Sequence, residues 1–206
     1  MLNFLKRKTV WHLADAEKMA KDFPYTFYRS SKTVLDQINT GNLVKLFFEY
    51  ENEKLGGERM WVKISSKEDK KYTGILENNP TGAKGLSCGD LISFEEKNIV
   101  DSDIEDKEPS LVEKYIKRCI VTNDILYESS KIDYLYREES DNENDSGWRF
   151  LSNNKNDDYV NNPKNVSCVS LGAVLRQDDS VLDLLEPPIG SAFEINSKGV
   201  FQKIVS

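Results

Sequence analysis

Asp141, Glu143 and Asp145 are spaced as the first, third and fifth ligands of a calcium-binding loop. Such a loop needs glycine at its sixth position for a sharp turn and a bidentate glutamate at its twelfth. Ser146 and Ser152 stand there instead, and no helical pattern leads in. A solvated acidic loop accounts for the pattern, and calcium binding stays open as an alternative. Glycoside hydrolysis by paired carboxylates would need two groups held at a fixed separation, one of them desolvated. Glu138, Glu139, Asp141, Glu143 and Asp145 are crowded into one polar stretch with no apolar pocket to raise a pKa. The single histidine, His12, precedes the first helical pattern in a segment expected to fray, far in sequence from Cys88, Cys119 and Cys168. Gly56-Gly57 and the loop over 81–85 carry neither phosphate-binding glycine spacing, so their glycines serve turns. The sequence therefore predicts no enzyme, no resident metal and no cofactor, with a metal-dependent hydrolase kept as a lesser alternative.

What remains is binding chemistry. The stretch 134–152, YLYREESDNENDSGWRFLS, sets large rings on both sides of the acids. Tryptophan and tyrosine bury much area at little entropic cost, and carboxylates beside them suit a basic partner. The expected partner-binding residues are Tyr136, Arg137, Glu138, Glu139, Asp141, Asp145 and Trp148, joined by Asp157, Asp158 and Tyr159 of a second acidic loop. A core position for Trp148 is equally compatible with the pattern, as is internal pairing of Arg137 with one of the acids. Trp61, within an apolar strand, reads as core.

The elements that must position these residues form two halves. In the first, apolar spacing predicts a helix near 13–22, a short strand over 25–29, and a helix from Ser31 through Asn39. Strands follow over 43–51, 60–64, 72–76 and 91–95, with Gly56-Gly57 at a loop tip. The acidic run 101–108 ahead of Pro109 reads as a linker. In the second half a capping box at Ser110 starts a helix over 111–117. Strands are predicted over 119–121, 132–137, 148–152 and 166–169, then two short helices broken at Asp178-Asp179, and a closing hairpin over 192–195 and 200–205. The fold class is α+β, with two small domains over 1–104 and 105–206, each a mainly antiparallel sheet with a few short helices.

Charge sharpens the division. The net charge is −7; residues 1–105 hold 16 lysines and arginines against 17 acids, and residues 106–206 hold 12 against 18. The second half repels phosphate backbones and attracts basic surfaces, which argues against nucleic acid as a ligand. Three widely spaced cysteines with no CxxC indicate reduced thiols. No signal-peptide core or bilayer-length apolar run occurs, so a cytoplasmic protein without a membrane partner is expected. Oligomeric state leaves no mark on the sequence.

Several motifs carry family likeness. CIVTNDIL (119–126), the stretch 134–152, DDYVNNPKNV (157–166) and PPIGSAFE (187–194) together resemble a bacterial immunity-protein family of polymorphic toxin systems. FPYTFYR (23–29), ERMWVKI (58–64), GILENNP (74–80) and LSCGDLISFEEKNI (86–99) resemble a separate small bacterial domain of unknown function. The first resemblance implies a protein that neutralises a toxin by binding it. A basic nuclease face is the partner the acidic half suggests, and a binding scaffold or regulator unrelated to toxins is the alternative.

Overall fold

The computed structural model describes residues 11–50, 56–83, 85–152 and 157–204. The chain forms two compact units, Met1–Glu108 and Pro109–Ser206. The fold of each is α+β and mainly antiparallel, as the periodicity indicated. Among the described residues no helix is long and apolar enough to cross a membrane.

The first unit is built on β2 (Leu43–Tyr50), whose strict alternation turns Val44, Leu46, Phe48 and Tyr50 inward. Each such side chain contributes about 1.5–3 kcal/mol by leaving water. β3 (Gly57–Glu68) pairs along one edge of β2, followed in order by β4 (Lys71–Leu76) and β5 (Leu91–Glu95). The other edge of β2 is shared. β1 (Trp11–Leu13) covers Phe48 to Tyr50, and β6 (Ile99–Ser102) covers Val44 to Leu46. Among the described residues two α-helices complete the unit. α1 (Ala16–Asp22) is capped by Asp15, which accepts from the Lys18 N–H at 2.9 Å. α2 (Lys32–Gln37) is capped by Ser31 and lays Val34 and Leu35 into the interior.

Five local expectations are corrected here. The expected helix at 13–22 begins only at Ala16, because Trp11 to Leu13 is claimed by the edge of β2. His12 therefore sits in a strand, with Nε2 2.9 Å from Glu49, rather than in a fraying end. Residues 25–29 form a turn and an extended segment, not a strand. The acidic run 101–108 is not a free linker. Lys45 pairs with Asp101 at 3.0 Å, and Asp106 accepts hydrogen bonds from the Ser31 N–H and the Tyr28 hydroxyl at 2.6 and 3.2 Å. Its acids satisfy donors that the helix start and the sheet would otherwise leave open. The loop tip expected at Gly56-Gly57 is displaced too, since Gly57 is already the first residue of β3.

The second unit is a six-stranded sheet. Its strands are β7 (Arg118–Thr122), β8 (Ile132–Arg137), β9 (Asp145–Ser152), β10 (Val166–Ser170), β11 (Ala192–Ile195) and β12 (Phe201–Ile204), in the order β10-β7-β9-β8-β11-β12. One pair departs from the antiparallel rule: β7 and β9 run parallel, joined by a crossover through α4 (Asn123–Tyr127) and β8. α4 was not foreseen, since three of its residues, Ile125, Leu126 and Tyr127, extend the apolar pattern of β7. α3 (Leu111–Lys114) stops three residues earlier than expected, and α5 (Asp157–Val160) precedes β10. α6 (Leu171–Leu175) buries Leu171, Val174 and Leu175. Register places Val121, Phe150, Leu135 and Phe193 side by side on one face, and all four are buried.

Candidate functional site

Of the expected binding residues, Tyr136 lies in the rows of the opposite face of the second sheet. Pairing sets Ile120, Arg149, Tyr136, Ala192 and Ile204 in one row across five strands. Leu151, Tyr134, Glu194 and Gln202 form the next row. Apart from Arg149 and the exposed Glu194 and Gln202, these residues are half-buried. The Tyr134 and Tyr136 rings lie 5.6 Å apart, as expected of i and i+2 side chains on one strand face.

Arg149 is the centre of this face, with its side chain only 4% exposed. Its Nη1 and Nη2 donate to the two oxygens of Asp145 at 2.9 and 2.8 Å, and Nε donates to Glu138 at 2.6 Å. Asp141 stands 3.9 Å off. The guanidinium thus pins the acidic segment between β8 and β9. The bidentate bond holds the Asp145 carboxyl well below the usual carboxylate range, helped by the N–H groups of Gly147 and Asp141.

The local backbone makes this possible. From Arg118 to Ile120 β7 advances two residues, while β9 advances four from Asp145 to Arg149, so β9 carries two extra residues. Gly147 sits in that bulge at φ +79°, where a Cβ would lie 2.3 Å from the Glu138 carbonyl oxygen. Ser146 Oγ donates to the Arg118 carbonyl at 2.7 Å and accepts from the Trp148 N–H.

Several expectations narrow accordingly. Trp148 is 1% exposed and packs on Phe150, so it belongs to the core and not to the lip of the loop. Asp145 is spent on Arg149. Among the described residues Arg137 pairs with no acid: Nε donates to the Ser146 carbonyl, Nη1 donates to that of Pro187 at 2.9 Å, and the guanidinium lies over the Trp148 ring. The residue that gathers the acids, Arg149, lay in the sequence two residues beyond the bulge glycine, and only the pairing reveals its role. Glu138 is half-exposed, and Glu139, Asp141 and Glu143 are exposed.

The second acidic stretch is not part of this face. Asn123 Nδ2 donates to the Lys164 carbonyl, its Oδ1 accepts from the Ser167 hydroxyl and its backbone N–H donates to the Asn165 carbonyl, while Asn165 donates to the Tyr159 carbonyl, which places the α5 segment at the Thr122 end of β7. The acidic loop lies at the Arg118 end, where the Arg118 N–H donates to Asn144. Asp157, Asp158 and Tyr159 are thus separated from the Glu138 to Asp145 cluster by the length of β7, about 13 Å. Among the described residues no group of three His, Cys, Asp or Glu side chains is placed to hold a metal ion.

The second unit is thus a six-stranded sheet with one buried face and one half-buried aromatic face near exposed acids. Its motifs also account for the likeness: residues 119–205 match the immunity protein Imm33 domain. The chain belongs, through residues 7–110, to the family of uncharacterised proteins conserved in bacteria, DUF2314. No curated protein and no solved structure matches the chain.

Proposed function

We propose that this protein is an immunity protein that neutralises a bacterial toxin by binding it, with the second unit as the binder. The observation that carries the reading is the Imm33 match over a unit whose second sheet face presents Tyr134, Tyr136, Leu151 and Ile204 beside exposed acids. The rings supply area to bury, and Glu139, Asp141, Glu143 and Glu194 supply a field that steers a basic partner. The protein acts in this reading as a stoichiometric blocker in the bacterial cytoplasm and performs no catalysis. A nuclease whose substrate groove is basic fits the charge best.

The test is growth rescue. A toxin gene neighbouring this one would be expressed alone and with this protein. Rescue by the wild type, and its loss for Y134A/Y136A with folding retained, supports the reading. Failure to rescue any neighbouring toxin contradicts it.

A further inference from the structure

The first unit carries a cleft of ≈ 740 Å³ that the toxin-neutralising reading does not use. It is lined by residues from both ends of the strand order: Trp11 and Leu13 of β1 on one side, Ser93, Phe94 and Glu95 of β5 on the other. Tyr72 stacks on Phe94 at 5.3 Å within its lining. The two ends are tied together at one point by Asn98, which accepts from the Glu95 N–H and donates to the Ala14 carbonyl, both at 2.9 Å.

The edge of β5 is open above that tie. The Glu96 N–H donates to Lys70 and the Leu76 N–H to Asp90, so the two bonds bracket the β4–β5 ladder. Alternation between them turns the peptide groups of Ile92 and Phe94 toward β4 and those of Leu91 and Ser93 outward. Among the described residues β5 has no second neighbour. Proteins usually blunt such an edge with lysine, proline or a bulge. The segment LISFE has none of these, and Leu91 is 65% exposed.

We propose that this cleft takes an extended segment of a second polypeptide, which adds a strand to β5 at Leu91 and Ser93 and lays an apolar side chain against Trp11, Leu13 and Phe94. A row of outward peptide donors and acceptors is matched by another extended backbone, and the apolar walls select its side chains. The β1 wall opposite favours a single strand over a second copy's β5, which would arrive with its own sheet attached.

The experiment is selection of phage-displayed random heptapeptides on the full chain, followed by affinity measurement of the enriched peptides. Ser93→Pro removes one outward N–H without touching the β4 ladder, and thermal unfolding checks that the variant folds. The expected result is enriched apolar peptides whose affinity falls at least tenfold for S93P and on N-methylation at alternate residues only. No enrichment, or equal affinity for S93P, overturns the proposal. Binding that emerges only after deletion of residues 1–10 overturns it in favour of the chain's own leading segment. A dimer that S93P dissolves overturns it in favour of a second copy. None of these results depends on whether the second unit neutralises a toxin.

Discussion

Asp145 and Arg149 lie four residues apart on one strand, yet they meet through two hydrogen bonds of 2.9 and 2.8 Å. In a regular strand their Cα atoms would stand about 13 Å apart. The bulge at Gly147 and the length of the arginine side chain close that gap, and the acidic loop is folded onto the sheet as a result. Much of the charge that dominates the sequence is therefore structural. The portion left for a partner is Glu139, Asp141, Glu143 and the outer part of Glu138.

Removing the guanidinium leaves Asp145 buried and uncompensated. R149M is expected to lose about 3–5 kcal/mol of stability, the usual cost of breaking a buried pair from one side. E138Q removes a half-exposed partner and is expected to cost under about 1 kcal/mol. Urea denaturation of the two variants beside the wild type checks the order.

The same pair sets an acid limit. Because the folded-state pKa of Asp145 is depressed by Arg149, its contribution is complete above the unfolded carboxylate value of about 3.9 and is lost as pH falls from there toward the folded value. D145N is expected to be less stable than wild type at pH 7, with the difference shrinking below about pH 4. Melting temperatures from pH 7 down to pH 3 measure this.

Gly147 has two reasons to resist substitution, a positive φ and the Glu138 carbonyl against its missing Cβ. G147A is expected to cost more than about 1–3 kcal/mol, the range for backbone strain alone. Gly199, at φ +75° with open space around it, supplies the comparison, and G199A should cost only the strain. Unfolding midpoints of both variants separate clash from strain.

Much of this architecture was legible in the residues. The alternation in LVKLFFEY fixed β2, and Ser31 marked the start of α2 through chemistry local to the chain. What failed was set by tertiary pairing. Trp11 to Leu13 became a strand because the edge of β2 was available, and 101–108 became part of a unit because Asp106 reaches Ser31. At the site, the structure places Trp148 in the core and turns the Arg137 guanidinium to backbone carbonyls. Trp148 and Arg137 follow from burial and register, and no local pattern distinguishes them from surface residues. The separation of Asp157, Asp158 and Tyr159 from the first cluster follows from strand order, which composition does not encode.

Thiol chemistry follows burial. Burial pushes the Cys119 thiol far up, whereas Cys88 and Cys168 are exposed. A disulfide-exchange reagent at pH 8 is expected to modify two thiols quickly in the native protein and the third only on unfolding. Fast reaction of all three would contradict the packing around β7.

The measurement that bears most directly on the central claim is the affinity of this protein for the product of a neighbouring toxin gene, read across salt concentrations and face variants. Tight one-to-one binding is predicted, with association slowed by salt, weakened at least tenfold by Y134A/Y136A and slowed further by D141N/E143Q. Binding unchanged in all of these variants and at all salt concentrations would contradict the assignment of this face, and absence of binding would contradict toxin neutralisation itself.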